Sequence, residues 1–451
     1  MAKHSKLAIG RQAQDAFREL GWPSLLLLVV ALILGGGGVR HGLTNLVVQG
    51  VALGVILIQP GLVRDFLSRA PRVLVALVVL TLLLPLVQLI PLPSGVWQAL
   101  PGREMAVEAR DMLGEAEGWF PITLDRARTA VALFALLGPL TAILCFSSKP
   151  EATLRHGLLL LIGLALVQFA FGVLQFGAGD ALKFYTTNET GRFYGFFVGH
   201  ISSGLFMVLG LCALVGHYVG SKRDTITDLL YVLCGALLVI GIILTNSRSA
   251  VALALIPLAW AGLIALRSLR NQSRKVKLGF AIGAVVALLG IGAIAATNER
   301  LATTWERFND LEDSRPDIWN DTMSGIDRYW PIGSGMGTFD EVFQVEESLE
   351  TLSVKKAARA HNEYLEIALE AGLAGLLLVG GWIAFLLYAF IRGIRSVHAP
   401  AILAAALALL CIGLQALIYF PLRNMAVLCV AGLLVALLTA PITIKRDRVI
   451  D

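Results

Sequence analysis

The sequence predicts an all-α fold: a polytopic transmembrane helical bundle of about 12 spans, with a long periplasmic loop between spans 9 and 10. Two observations carry that reading. Hydrophobic residues make up 57% of the 451 positions and charged residues only 15%, with a mean hydropathy of +0.75; a soluble chain this long divides into several amphipathic domains instead. The apolar residues also come in repeated runs of about 17–25, the length at which a helix crosses a hydrocarbon core of ~30 Å. Backbone at that depth must satisfy its own N–H and C=O groups. No alternating-strand barrel pattern is present, so the runs are read as helices.

In chain order, residues 1–22 are polar and mildly basic. They read as a cytoplasmic N-terminal segment whose Phe17, Leu20 and Trp22 touch lipid, not as a signal peptide, because no small-residue cleavage site follows. Residues 23–296 are expected to hold spans 1–9, near 23–39, 44–62, 73–92, 127–146, 157–176, 198–219, 228–245, 250–266 and 278–296. Residues 367–441 hold spans 10–12, near 367–391, 400–420 and 425–441, and 442–451 form a cytoplasmic tail. The two long outer segments are 93–126 and the periplasmic loop 297–366, where most chemistry-capable residues gather. With both termini in the cytoplasm, the inner segments carry more than half of the 37 Lys and Arg but only a quarter of the 32 Asp and Glu, the asymmetry expected of inner loops. The pI near 9.0 then reflects anchoring at the inner leaflet rather than nucleic-acid binding. Cys145, Cys212, Cys234, Cys411 and Cys429 all lie inside apolar runs, so the spacing shows neither a disulfide framework nor a zinc site.

The outer residues carry the chemistry. In "DSRPDIWNDTMSGIDRYWPIGSGMGTF", Ser314, Pro316 and Asp317 read as a helix start. Ile318, Trp319, Thr322, Met323 and Ile326 then recur at helical spacing. Arg315 falls in the first turn, where free N–H groups and a guanidinium make an anion site; the alternative pairs it with Glu312 or Asp313. The "PIGSGMGTF" stretch is read as a turn that uses positive φ and close backbone approach, since no Gly-Lys-Ser/Thr follows to make a nucleotide loop. Ser247 caps the eighth span, with Arg248 in its first turn, and Arg192 precedes the sixth. Such arginines repel one another unless an anion lies between them, and a lipid-linked pyrophosphate is a membrane-borne anion of that kind. For Arg248 alone, snorkelling to lipid phosphate is the other reading.

His361 opens the stretch "HNEYLEIALEAGLAGLLL". At about 100° per residue, a helix that includes His361 places Leu365, Ala368 and Gly372 within about 40° of it, and Glu363, Glu366 and Glu370 on the opposite side. The histidine then shares the apolar face and does not pair with the helix's own glutamates. Two readings stay open: a hydrogen-bonded core residue, or a neutral imidazole in a partly dry cleft that takes a proton from a hydroxyl. No metal-ligand cluster is expected. The acids of "DLEDSR" at 310–315 read as a solvated turn.

Three stretches carry a resemblance together: "LTNSRSAVALAL" at a span start, "SRPDIWNDTMSGIDRYWPIGSGMGTFDEVF" in the large outer loop, and "ARAHNEYLEIALEAGLAGLLL" after it. Weaker echoes are "LVQLIPLPSGVWQALPGRE", "PITLDRARTAVALFALL", "GRFYGFFVGHISSGLF" and "FPLRNMA". With these the chain resembles the O-antigen ligase/polymerase superfamily of bacterial inner-membrane glycan-assembly enzymes. The resemblance implies a glycosyltransferase that moves a glycan from a polyprenyl-diphosphate carrier to an acceptor hydroxyl, with no cofactor, nucleotide sugar or metal. The implied partners are the lipid-linked glycan donor, a glycan or glycolipid acceptor and membrane lipids, but no nucleic acid. It further implies His361 as the base, Arg192, Arg248 and Arg315 as a diphosphate clamp, and Asn362 as an orienting residue. The chain departs from the family at "FVGHISSG", which contains His200, and at Tyr419, where relatives often have Asp; both bear on the acceptor. Within the superfamily a ligase and a polymerase both fit, the ligase being preferred. A lipid-linked-glycan transporter is the alternative from another class. Transporters place polar residues at mid-membrane, whereas here the charges gather at the outer rim.

Overall fold

The computed structural model describes residues 20–38, 41–115, 117–147, 152–185, 192–221, 224–270, 273, 315–350 and 357–450. In chain order its main helices are α1 (Trp22–Leu34), α2 (Gly42–Ile58), α3 (Gly61–Arg69), α4 (Arg72–Gln88), α5 (Ser94–Gln98), α6 (Glu104–Leu113), α7 (Arg126–Ala135), α8 (Leu137–Ser147), α9 (Ala152–Ala178), α10 (His200–Val219), α11 (Thr225–Leu244), α12 (Arg248–Leu269), α13 (Arg315–Tyr329), α14 (Phe339–Glu346), α15 (Glu363–Gly393), α16 (Ala399–Ala416) and α17 (Met425–Ile450). A short antiparallel ribbon pairs β1 (Pro91–Pro93) with β2 (Trp119–Pro121).

Among the described residues, seven helices are long and apolar enough to cross a membrane, and three shorter apolar helices run over Trp22–Gly37, Arg72–Gln88 and Met425–Ala440. The helices α2 and α3 pass the same test only as a pair bent by 81°. The chain is therefore a multi-pass membrane protein. Every expected span outside 278–296 falls on one of these helices, and 278–296 itself lies outside the described residues. The bend corrects the expectation of one continuous span over 44–62. Its cause is local: Gln59 precedes Pro60 and leaves the helical region, at φ −124° and ψ 66°, because a following proline ring crowds the helical conformation.

The chain forms two compact units, residues 1–160 with 314–451, and residues 161–313. In the first, α8 and α17 pack along each other. Gly432 lies where an added Cβ would stand 2.5 Å from the Pro139 carbonyl oxygen, and Gly138 faces the sulfur of Cys429. Phe66, Leu74, Leu77, Ile143, Leu144, Phe385 and Val435 form an apolar core between α3, α4, α8, α15 and α17. A second cluster, built from Ile326, Tyr329, Phe339, Val342, Phe343, Ala360 and Leu369, seats α13 and α14 on the first turns of α15. Full burial of side chains such as Phe339 and Phe343 contributes about 1.5–3 kcal/mol each.

In the second unit, α10 is buried along most of its length. Its small residues admit neighbours closely: Gly204 faces Ala250 of α12, and Gly210 faces Ala165 of α9. Side chains cap several helix starts, among them that at Ser247, as the sequence suggests. Asp125 accepts from the Arg128 N–H, Asp224 from that of Thr227, and Ser247 from that of Ala250.

Candidate functional site

In the first unit, the segment between α4 and α7 and the segment between α13 and α14 are tied to each other and to α15. The Gly-rich turn runs with Gly333, Gly335 and Gly337 all at positive φ, as the sequence indicates. Gly335, at φ 118°, leaves no room for a Cβ against the Thr123 side chain. Ser334 and Gly335 donate to the Leu369 and Glu370 carbonyls of α15 at 2.9 and 2.8 Å, and Leu124 donates to Ser334 at 2.8 Å. Arg103, 0% exposed, bridges the same pieces by donating to the carbonyls of Ile122 and Gly333. It lies over the rings of Trp97 and Tyr329 at 5.8 and 5.6 Å. Burial pushes its pKa down to about 10, against the raising influence of nearby Tyr329 and Glu104.

His361 is not part of a helix. It has φ 52°, and α15 starts at Glu363, with the Asn362 side chain accepting from the N–H groups of Tyr364 and Leu365 at 3.0 and 3.2 Å. The helical wheel drawn through His361 therefore does not apply, because the cap ends the helix one residue too early to include it. The ring packs instead against two aromatic rings of the segment before α17, Tyr419 at 6.0 Å and Phe420 at 5.2 Å, which stack on each other at 4.1 Å.

The glutamates of α15 are also placed differently from a solvated face. Glu363, Glu366 and Glu370 are all buried, and all three meet Arg423. Glu363 accepts from the N–H groups of Leu422 and Arg423 at 2.8 and 3.1 Å. Glu366 accepts from the Ala360 N–H at 3.0 Å and pairs with Arg359 and Arg423, both at 3.2 Å. Glu370 pairs with Arg423 at 2.7 Å and caps α14 through the Phe339 N–H at 3.2 Å. Burial lowers the pKa of Arg423, and the carboxylates of Glu370 and Glu366 outweigh it, so the guanidinium is held above its usual range. Two further residues down, Gly372 breaks the helix at φ 55° and ψ −143°. There the Leu373 N–H donates to Pro331 at 3.0 Å instead of within the helix.

The i, i+3, i+7 spacing of Glu363, Glu366 and Glu370 places three carboxylates on one face of the helix, as the sequence indicates; that this face is buried and that Arg359 and Arg423 meet it was missed in the sequence. One face carrying three acids into a bundle calls for bases to meet it; Arg359 lies just before the helix in the chain, whereas Arg423 arrives from beyond α16.

Arg315 stands where expected, in the first turn of α13; its alternative partners Glu312 and Asp313, and its expected cap Ser314, lie outside the described residues. One turn on, Trp319 donates from Nε1 to the Ala360 carbonyl at 2.8 Å, which joins the helix of Arg315 to the residue before His361. Arg192 and Arg248 belong to the other unit. Arg248 is the first residue of α12, exposed, beside the Ser247 cap. Arg192 meets the ring nitrogens of His200 at 2.8 and 3.0 Å. Its turn is held by the buried Gln168, which donates to Tyr194 and Ser203 and accepts from the Phe196 N–H.

Residues 233–380, about a third of the chain, match the family model described as O-Antigen ligase. The resemblance to the O-antigen ligase/polymerase superfamily holds over that stretch, which includes Arg248, Arg315, His361 and Asn362 but not Arg192. No curated protein matches the chain.

Proposed function

From the O-Antigen ligase match of residues 233–380, we propose that this multi-pass membrane protein is an enzyme of polysaccharide assembly: a glycosyltransferase of the bacterial inner membrane, with both termini cytoplasmic. It moves a glycan from a polyprenyl-diphosphate carrier to an acceptor hydroxyl. The acceptor oxygen attacks the anomeric carbon as the bond from that carbon to the diphosphate oxygen breaks. His361 takes the hydroxyl proton, and the diphosphate leaves with its electron pair. Arg192, Arg248 and Arg315 stabilise the negative charge that grows on the leaving group. Asn362 sets the direction of the chain at the base by capping α15.

The observation that supports this reading best is the way His361 is held. A non-glycine residue at positive φ is costly and persists where its surroundings over-determine it, which happens most at functional sites. Among the described residues two non-glycine residues take that conformation, Asn246, just before the Ser247 cap and Arg248, and His361; His361 stands at the head of α15, with the guanidinium-bearing helix α13 bonded to the peptide before it. Transfer of the glycan to a final acceptor, the ligase form of the reaction, is the preferred version. Deletion of the gene followed by gel analysis of surface glycan tests it: a ligase loses the capped product, whereas a polymerase loses the distribution of chain lengths.

A further inference from the structure

We propose that Glu366 and Glu363 are positioning residues that set where the His361 imidazole stands, by gripping from one helix the two chain segments whose rings meet there. This rests on the reading of His361 as the base.

Glu366 works on the segment before the histidine. Its Oε1 accepts the Ala360 N–H at 3.0 Å, and its Oε2 binds the Arg359 guanidinium at 3.2 Å. The Ala360 carbonyl is held by Trp319 at 2.8 Å. Both polar groups of Ala360 are thus fixed, and on the far side Asn362 is fixed by its cap bonds. Between these anchors His361 adopts φ 52°, a conformation that an L residue leaves unless it is held.

Glu363, one turn earlier, works on the segment opposite. Its Oε1 accepts the N–H groups of Leu422 and Arg423, which fixes the Pro421–Arg423 turn. Tyr419 and Phe420 lead directly into that turn, and their rings form the wall against which the imidazole packs. Arg423 then closes the circuit by reaching back to Glu366 at 3.2 Å. Both carboxylates sit on the same rigid helix, so the spacing between the imidazole and its aromatic wall is set by one α-helical turn. A base displaced by about 1 Å from its proton can lose about 100-fold in rate, so such a grip has a kinetic consequence as well as a structural one.

The test uses the purified full-length protein with a lipid-linked donor and an acceptor. It compares Glu366→Gln, Glu363→Leu and His361→Gln, and each of the two glutamate variants combined with His361→Gln. Gln keeps the size and an acceptor oxygen but loses the charge that holds the arginines. Positioning predicts that Glu366→Gln lowers kcat by about 10- to 100-fold while KM for the donor stays within about twofold. It also predicts that adding Glu366→Gln to His361→Gln lowers kcat no further, because there is no base left to misplace. A purely structural role lowers kcat by the same factor in both backgrounds, and that result, or a parent kcat in Glu366→Gln, overturns the proposal. Should Glu366→Gln not fold, Glu363→Leu, which removes the oxygen that accepts from Leu422 and Arg423, is read by the same two criteria in its place, since it leaves the Arg359 and Arg423 pairs of Glu366 intact. The failure of the underlying reading has a different signature: His361→Gln then transfers glycan at the parent rate, whatever the glutamate variants do.

Discussion

Arg192 donates to the ring of His200 at 2.8 Å, so an arginine expected to meet the donor has a histidine as its partner. The ring orients the guanidinium. Substituting His200→Ala removes one hydrogen bond to a charged group, roughly 1.5 kcal/mol. Donor KM is expected to rise about tenfold with kcat little changed, as measured in steady-state transfer assays. An unchanged donor KM would show that Arg192 keeps its place without the histidine.

The clamp as a whole is expected to tolerate neither charge loss nor a change of cation. Arg192→Ala, Arg248→Ala and Arg315→Ala should each weaken transfer. The Lys variants should recover little of it, because a lysine presents a single ammonium where the planar guanidinium presents a fork of donors. Transfer at the parent level by well-expressed Arg248→Ala protein would remove that residue from the clamp.

For His361, removal of a general base costs roughly 10²–10⁴-fold in rate. The expected outcome for His361→Ala and His361→Gln is that loss in kcat, with thermal stability close to the parent. The opposite pattern, a lower melting temperature with activity per folded molecule retained, would make His361 a packing residue.

Gly335→Ala probes the turn between α13 and α14. The residue has φ 118°, and an added methyl group meets Thr123. Alanine at a positive-φ position costs more than about 1 kcal/mol even with open space around it. A lower thermal midpoint in detergent is expected, together with reduced transfer, because the same turn is bonded to Leu369 and Glu370 of α15.

Topology can be read by labelling with a membrane-impermeant thiol reagent on intact cells. Cysteine placed at Ser348 should react and cysteine placed at Ser273 should be protected, given the excess of Lys and Arg in the segments assigned to the cytoplasm. Of the five native cysteines, Cys145, Cys212, Cys411 and Cys429 are buried and Cys234 is half-buried, so the labelling is done in a Cys234→Ala background. Reaction at 273 with protection at 348 would invert the assignment.

What the sequence determined on its own is what depends on neighbours in the chain. The apolar runs located the membrane helices because hydropathy over about 20 residues decides whether a segment can sit in lipid. Ser247 marked the start of α12 beside Arg248, and the glycines of "PIGSGMG" marked a turn at positive φ, because caps and turns are made by residues a few positions apart. The same local logic misled at His361, where periodicity was extended through Asn362 although that residue is itself a capping type. The tertiary structure alone decided which charges meet. Arg423 reaches Glu370 across 53 positions, Arg103 reaches the Gly333 carbonyl across 230, and the Tyr419 and Phe420 rings arrive beside His361 from another helix connection. No spacing rule encodes such pairs. A buried carboxylate needs packing that brings a base or N–H donors to it, and that packing is a property of the whole unit rather than of any stretch of chain.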